Sequence, residues 1–379
     1  MKAMVLAAGL GTRLRPLTYE ITKPMVPVLD RPVMEHIVEL LERHGFDEVI
    51  ANLHYFPDSI REYFGERLSY RFEEELLGTA GGVRGCAEFF GEEPFLVISG
   101  DALTDVDLGA FVARHREAGG VATLAVKQVP DTREYGVVLH DRDGRITGFQ
   151  EKPAPEEALS DLGNCGIYLF EPRIFDYFPE RPFVDWAQDV FPVLLENDVP
   201  FHIHEVREYW NDVGSLGELR QGTFDALRGE LRLQIEGVEI SPGVIVAGGA
   251  DASPLRADTE LDGAVWIGRD VSIGEGVRLM GPIVLGDGAS IGDGVQLRAV
   301  AHLHPVAQHQ RPHQPHRRPD VDVAPDPGRP GHLGVRAKGL AFPRPLARHD
   351  HPRAHLLAVH LQAQLAAEGI ECALAQLAQ

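Results

Sequence analysis

Between residues 265 and 298 the chain repeats itself every six residues. Val265, Val271, Val277, Ile283, Ala289 and Val295 recur at that interval, and Ile267, Ile273, Leu279, Leu285, Ile291 and Leu297 do so two positions later. Gly follows at 268, 274, 286 and 292. An α-helix repeats every 3.6 residues and a flat strand every two, so neither explains this spacing. A coil of short parallel strands does, with aliphatic side chains stacked inside and glycine easing the corners. The pattern predicts a short parallel β-helix over residues 238–298, with weaker matches at Ile240 and Val246 near its start.

Upstream, over residues 1–230, the periodicity is different. Short apolar runs at Met4–Ala7, Val49–Leu53, Phe95–Ile98, Val121–Val126 and Ile167–Phe170 alternate with amphipathic segments. Val33, Ile37, Leu40 and Leu41 share one helical face; Leu108, Phe111 and Val112 share another. Strands alternating with helices predict an α/β sheet covered on both faces. Downstream of residue 299 the six-residue period stops. Ten of the 17 His residues fall in 300–379 among Pro and Arg at irregular spacing. Residues 299–379 are therefore expected to be an irregular or disordered tail, or the product of a shifted reading frame.

The chain carries a net charge of −21, which opposes non-specific contact with nucleic acid or an anionic membrane. No run of about 18 apolar residues predicts a membrane span. The N-terminus does not read as a signal peptide. Cys86, Cys165 and Cys372 lie too far apart for a metal-ligand spacing or a disulfide framework. A cytoplasmic protein is the expectation. In so acidic a chain, cations that hold anionic substrates must be local and few.

Such cations stand at the start of the chain. Leu6-Ala7-Ala8-Gly9-Leu10-Gly11-Thr12-Arg13-Leu14-Arg15-Pro16-Leu17-Thr18 is followed by Lys23-Pro24. A buried strand ends and a glycine-rich loop begins. Gly9 and Gly11 let backbone N–H groups approach a phosphate closely. Arg13 adds a planar fork of donors, and Lys23 adds a point charge. The loop lacks the third Gly of the dinucleotide fingerprint and the Gly-Lys-Ser/Thr ending of a P-loop.

The stretch Leu6–Pro24 resembles the signature of the nucleotidyltransferases that make sugar nucleotides, the sugar-nucleotide pyrophosphorylases. Further motifs follow in the family's order. Glu75-Leu76-Leu77-Gly78-Thr79-Ala80-Gly81-Gly82 is similar to the base-reading segment, with Leu76 where many members have Pro. Ser99-Gly100-Asp101 and Trp210-Asn211-Asp212-Val213-Gly214 resemble the two metal-carboxylate motifs. Tyr135-Gly136-Val137, Phe149-Gln150-Glu151-Lys152-Pro153 and Asn164-Cys165-Gly166-Ile167-Tyr168 resemble the segments around the sugar phosphate. Taken singly, Asp101 reads equally as a turn residue, Asp212 as a residue at a helix start, and Glu151-Lys152 as a solvated pair.

The resemblance implies a Rossmann-like mixed-sheet nucleotidyltransferase domain over residues 1–230, followed by a short left-handed parallel β-helix. It implies attack by a sugar 1-phosphate oxygen on the α-phosphorus of a nucleoside triphosphate. Arg13, Lys23 and Asp101 would be catalytic. Leu6, Ala7, Gly9, Gly11, Thr12, Gly78, Gly136, Glu151, Lys152 and Asn164 would bind substrate. Asp101 and Asp212 would hold Mg²⁺. The motif wording is most similar to mannose-1-phosphate guanylyltransferases, so GTP and mannose 1-phosphate are the expected pair. Thymidylyl transfer to glucose 1-phosphate and uridylyl transfer are the alternatives. A non-catalytic regulatory subunit that binds a sugar nucleotide is the alternative of another class. A homo-oligomer is expected.

Overall fold

The computed structural model describes residues 1–249 and 253–300, all within one compact unit. The tail predicted over residues 299–379 lies, from residue 301 onward, outside the described residues.

A nine-stranded mixed sheet forms the centre of residues 1–230. Lys2–Leu6 lies between Glu48–Leu53 and Phe95–Ser99 and is parallel to both. Ser69–Phe72 extends the sheet in parallel beyond Glu48–Leu53. On the other side, Leu162–Phe170 runs antiparallel to Phe95–Ser99 and to Ala122–Gln128. Gly136–His140 and Ile146–Glu151 form an antiparallel edge, and His202–Glu205 pairs in parallel with Ala122–Gln128. Apart from Ala7 and Val121, which lie just outside their strands, the predicted apolar runs lie in strands of this sheet.

The central strand shows why its sequence reads as one apolar run. Ala3, Met4 and Val5 are fully buried, as befits a strand covered on both faces. Alternate side chains enter different cores. Ala3 and Val5 join Val33, Ile37, Leu40, Leu41, Leu108 and Phe111, the two helical faces predicted from spacing. Met4 joins an aromatic-rich cluster on the opposite face. There Phe90 stacks on Phe95 at 3.9 Å and Phe170 on Trp186 at 4.3 Å between ring centroids. Among the described residues no helix is long and apolar enough to cross a membrane.

Within residues 265–298 the strand pairing follows a multiple of six residues. Parallel pairs join residues 18 apart, three periods: Val265 to Ile283, Ser272 to Ser290 and Arg278 to Gln296. Val265, Ile267, Val277, Leu279, Ile283, Leu285 and Ala289 are fully buried within this coil. Side chains at the middle of one face point the other way. Trp266 and Val284 join the same apolar core as Ala3 and Val5, and Trp266 Nε1 donates to the Glu236 carbonyl at 2.9 Å. The start of the repeat differs from expectation. Val238–Ser241 pairs antiparallel with Val244–Val246, so it is one arm of a hairpin and not a rung. Pro242 and Gly243 lie in the intervening turn, and Gly243 takes a φ of 77° that other residues avoid.

Candidate active site

The loop after Lys2–Leu6 lies at the carboxyl ends of the parallel strands, where strand order changes direction on either side of the first strand. Open α/β sheets bind ligands in that crevice. The strand end itself is tied down. The Leu6 carbonyl accepts from Gly100 N at 2.9 Å, and Ala7 N donates to Asn52 Oδ1 at 2.9 Å. From Gly9 to Arg13, successive amides have no protein acceptor among the described residues. Unpaired amides of this kind suit an anion.

Gly11 makes the turn that returns the loop. Its φ is 59°, and a Cβ there would lie 2.8 Å from Lys23 Cβ. Its carbonyl accepts from Leu14 N and from Thr18 Oγ1. Thr12 opens a short 3₁₀ turn over Thr12–Leu14 that carries the exposed Arg13. Lys23 opens another over Lys23–Met25.

Lys23 and Asp101 meet here in an ion pair, and Lys23 Nζ also donates to the Asp212 carbonyl at 3.2 Å. Ser99 Oγ donates to the other oxygen of Asp101. The two carboxylate motifs are joined by a small antiparallel pair in which Trp210 opposes Thr104 and Asn211 opposes Leu103. Asp212 therefore sits just beyond a strand, not on a helix. The helix Leu216–Leu227 begins later, capped by Ser215 Oγ accepting from Glu218 N at 3.2 Å. Val213, between Asp212 and Gly214, has a φ of 42°, an uncommon conformation for a β-branched residue. Its N–H donates to Asn211 Oδ1 at 2.8 Å.

Arg13 approaches the same place. A Cβ on Gly214 would fall 2.9 Å from Arg13 Nη1, 2.9 Å from Glu218 Oε2 and 3.0 Å from Asp212 Oδ2. The absent side chain leaves room for this meeting of charges. Burial, then Glu218 and Asp101, push the Asp212 carboxyl above its ordinary pKa, while Lys23 and Arg13 oppose the rise. Asp212 Oδ1 is buried without a hydrogen-bond partner. An orphaned buried carboxylate oxygen beside a second carboxylate is a donor set that fits a hard divalent cation. Among the described residues no cluster of three or more His, Cys, Asp or Glu side chains has metal-site geometry. The fit therefore rests on Asp101 and Asp212, with phosphate oxygens and water supplying further ligands, as is usual for Mg²⁺.

Two of the three segments expected around the sugar form an edge hairpin, and the third lies in Leu162–Phe170. Glu151 pairs with Gly136, and a Cβ on Gly136 would approach Glu151 Oε2 to 3.2 Å. Lys152 is exposed, has a φ of 47°, and donates its N–H to the Tyr135 carbonyl at 3.2 Å. Asn164 is engaged within its own strand: Nδ2 donates to Tyr168 Oη at 3.0 Å, and Oδ1 accepts from Gly166 N at 3.0 Å. These bonds lie where the pairing with Ala122–Gln128 shifts register. Gly78, with a φ of 78°, opens the helix Gly78–Gly85. The amides of Ala80 and Gly81 both donate to Val184 O, so fewer backbone groups remain to read a base than the motif suggests.

Three residues absent from the sequence reading connect these parts. Asn52 holds Ala7 N and donates through Nδ2 to Glu73 Oε1 at 2.8 Å; Glu73 Oε2 accepts from Leu77 N at 3.2 Å. The glycine-rich loop and the Gly78 segment thus share one buried support. Glu73 is 3% exposed, whereas its neighbours Glu74 and Glu75 are exposed, and a run of three Glu does not reveal which one is inside. Glu218 is the third omission. It accepts from Tyr135 Oη at 3.4 Å and so links the sugar-side hairpin to the Asp212 loop.

Residues 2–228 match the family model described as nucleotidyl transferase. The chain is 41% identical over 302 residues to a UTP–glucose-1-phosphate uridylyltransferase from Synechocystis sp., covering 74% of this chain and 77% of that protein. It is 33% identical over 284 residues to a mannose-1-phosphate guanylyltransferase from Mycobacterium tuberculosis, covering 69% and 79%. Among solved structures, a glucose-1-phosphate thymidylyltransferase from Bacillus anthracis superposes with a TM-score of 0.55 at 24% identity, covering 62% of this chain and 97% of that one. An apo UDP-glucose pyrophosphorylase gives 0.53 at 21% identity, covering 61% and 100%. These two likenesses bear on the fold of the mixed sheet. The strand-end loop, the two joined carboxylate motifs and the match over residues 2–228 lead to one conclusion: the chain belongs to the nucleotidyl transferase family.

Proposed function

We propose that this protein transfers a nucleoside monophosphate from a nucleoside triphosphate to a sugar 1-phosphate and releases pyrophosphate. The observation that carries this reading is the convergence of Arg13, Lys23, Asp101 and Asp212 around a loop with unpaired amides. A non-bridging oxygen of the sugar 1-phosphate attacks the α-phosphorus, and the bond to the β-phosphate oxygen breaks. The leaving pyrophosphate takes the electron pair. A phosphate monoester is mostly a dianion at neutral pH, so the nucleophile needs no general base. The protein's task is to position two polyanions and stabilise charge.

The amides of Gly9 to Arg13 and the Arg13 guanidinium hold the β- and γ-phosphates. Lys23 lies near the α-phosphate. Lys152 grips the sugar 1-phosphate, and Glu151 accepts from a sugar hydroxyl. Leu6, Ala7 and the Gly78 segment border the nucleoside, with Asn52 and Glu73 fixing their spacing. Asp101 and Asp212 would hold Mg²⁺, whose charge would offset that of the phosphates.

The substrate pair is the finer part of the reading. Motif wording favours GTP and mannose 1-phosphate. The 41% match to a uridylyltransferase exceeds the 33% match to a guanylyltransferase and favours UTP and glucose 1-phosphate. We place UTP with glucose 1-phosphate first and GTP with mannose 1-phosphate second. Residues 1–230 form the catalytic domain in this reading. Residues 238–298 form a second module in this reading, a left-handed β-helix preceded by the hairpin arm Val238–Ser241, in a homo-oligomer. Pyrophosphate release over a matrix of nucleoside triphosphates and sugar 1-phosphates tests the proposal. No release with any pair would overturn it, and the best kcat/KM decides the pair.

A further inference from the structure

Resting on that reading, the geometry around Asp101 assigns Lys23 a second task. Both Asp101 oxygens are engaged: one accepts from Ser99 Oγ and the other from Lys23 Nζ. The Lys23 side chain is 11% exposed and that of Asp101 24%, so water screens the pair little. Asp212 is treated differently. Lys23 binds its backbone carbonyl, and its carboxylate Oδ1 remains unpartnered.

We propose that Lys23 is an internal stand-in for the divalent cation at Asp101, and that it must leave that carboxylate before Asp101 can take metal. An ammonium and a divalent cation compete for the same oxygen. The Lys23 backbone is fixed, because its carbonyl accepts from Val26 N and Gly11 packs against its Cβ. The ammonium, at the end of a flexible stem, is what can move. A departing lysine needs another anion, and the incoming phosphates supply one. Metal and nucleotide then assist each other: each removes the obstacle to the other, which is positive coupling between two sites. The same exchange delivers Lys23 to phosphate only when both ligands are present.

The test is Mn²⁺ titration of the nucleotide-free protein, read as loss of the free-ion electron paramagnetic resonance signal. Lys23→Met should bind Mn²⁺ about tenfold more tightly than wild type, since a cation in contact with the ligand has been removed. Lys23→Arg keeps a cation beside Asp101 and should bind as weakly as wild type. Arg13→Met removes the same charge without freeing Asp101, and its gain should stay under about threefold. An equal gain in Arg13→Met would show simple repulsion and overturn the stand-in role. No gain in Lys23→Met would overturn it also, provided Asp101→Asn still weakens binding. If the gain of Lys23→Met survives in Lys23→Met/Asp101→Asn, then Asp101 is not a metal ligand and the functional reading itself fails.

Discussion

Lys23 and Asp101, 78 residues apart in sequence, form a largely buried ion pair at the carboxyl ends of two adjacent parallel strands. Gly100 permits it. A Cβ at that position would lie 2.7 Å from the Leu6 carbonyl oxygen and 3.2 Å from Pro24 Cγ. The strand end carrying Asp101 can therefore press against the segment carrying Lys23. Side-chain bulk at position 100 would separate the Lys23 ammonium from the Asp101 carboxylate.

Arg13 is exposed and makes no ion pair among the described residues, so it contributes little to folding. Arg13→Ala should leave the thermal midpoint within a degree or two of wild type. It should lower kcat/KM by roughly 2–4 kcal/mol of transition-state stabilisation, the scale of losing one preorganised donor. Steady-state kinetics beside a thermal melt checks both halves. Near-normal turnover would remove Arg13 from the phosphate site.

Asp212 presents the opposite case. Its carboxylate is buried, has an unpartnered oxygen, and is pushed toward protonation by burial and by two neighbouring carboxylates. That arrangement costs stability when no cation is bound. Asp212→Asn should therefore melt at or above the wild-type temperature without metal, while turnover falls by at least about 100-fold. Activity should also vanish in EDTA and return with Mg²⁺. A variant that melts several degrees lower would indicate a structural carboxylate.

The outline of this site was legible in the sequence because its parts are local words. A strand followed by Gly9, Gly11 and Arg13 reads as an anion loop wherever it lies, and a six-residue aliphatic period has few structural solutions. What stayed hidden depends on tertiary contact. Nothing local separates Glu73 from Glu74 and Glu75, and Asn52 looks like any polar residue in a strand. The antiparallel pairing that joins Trp210–Asn211 to Leu103–Thr104 links runs of two residues, too short to carry a period. Asn164 was expected as a site residue, but its internal bonds at a shift of register were not legible. The hairpin at Val238–Ser241 escaped for a related reason: Ile240 and Val246 keep the six-residue spacing while the strands run in opposite directions.

The two loop glycines should respond differently to the same change. At Gly11 an added methyl would sit 2.8 Å from Lys23 Cβ on a backbone with φ 59°. Gly11→Ala should cost roughly 1–2 kcal/mol of stability from the left-handed conformation alone. At Gly9 an added Cβ meets nothing within 4 Å. Gly9→Ala should change stability by less than about 0.5 kcal/mol. It should still raise KM for the nucleoside triphosphate, because the methyl obstructs close approach of phosphate. Urea midpoints separate the two variants. An unchanged KM in Gly9→Ala would show that the phosphates do not pass over that residue.

His36 gives the fold a pH dependence that is separable from catalysis. It lies on the helix Val33–Arg43, is 3% exposed, and its Nε2 lies 3.1 Å from the Val28 carbonyl oxygen. Its Nδ1 is buried with no partner. Nε2 therefore carries the proton and donates, and further protonation would create a buried, charged Nδ1–H with no acceptor. Burial is the main cause that pushes the His36 pKa down to about 4; Arg31 and Arg43 add to it, while the Val28 contact and Glu39 oppose it. The folded pKa thus lies below the unfolded value of about 6.5. Stability is fully present above that value, falls as the unfolded chain takes up a proton, and stops falling below pH 4 or so. Between pH 7 and pH 5 the loss should be about 2 kcal/mol. His36→Gln keeps an N–H donor for Val28 but does not titrate, so its stability should fall by about 2 kcal/mol less over the same interval. Urea unfolding of both proteins at the two pH values measures the difference. Parallel losses in the two proteins would mean that His36 does not set this dependence.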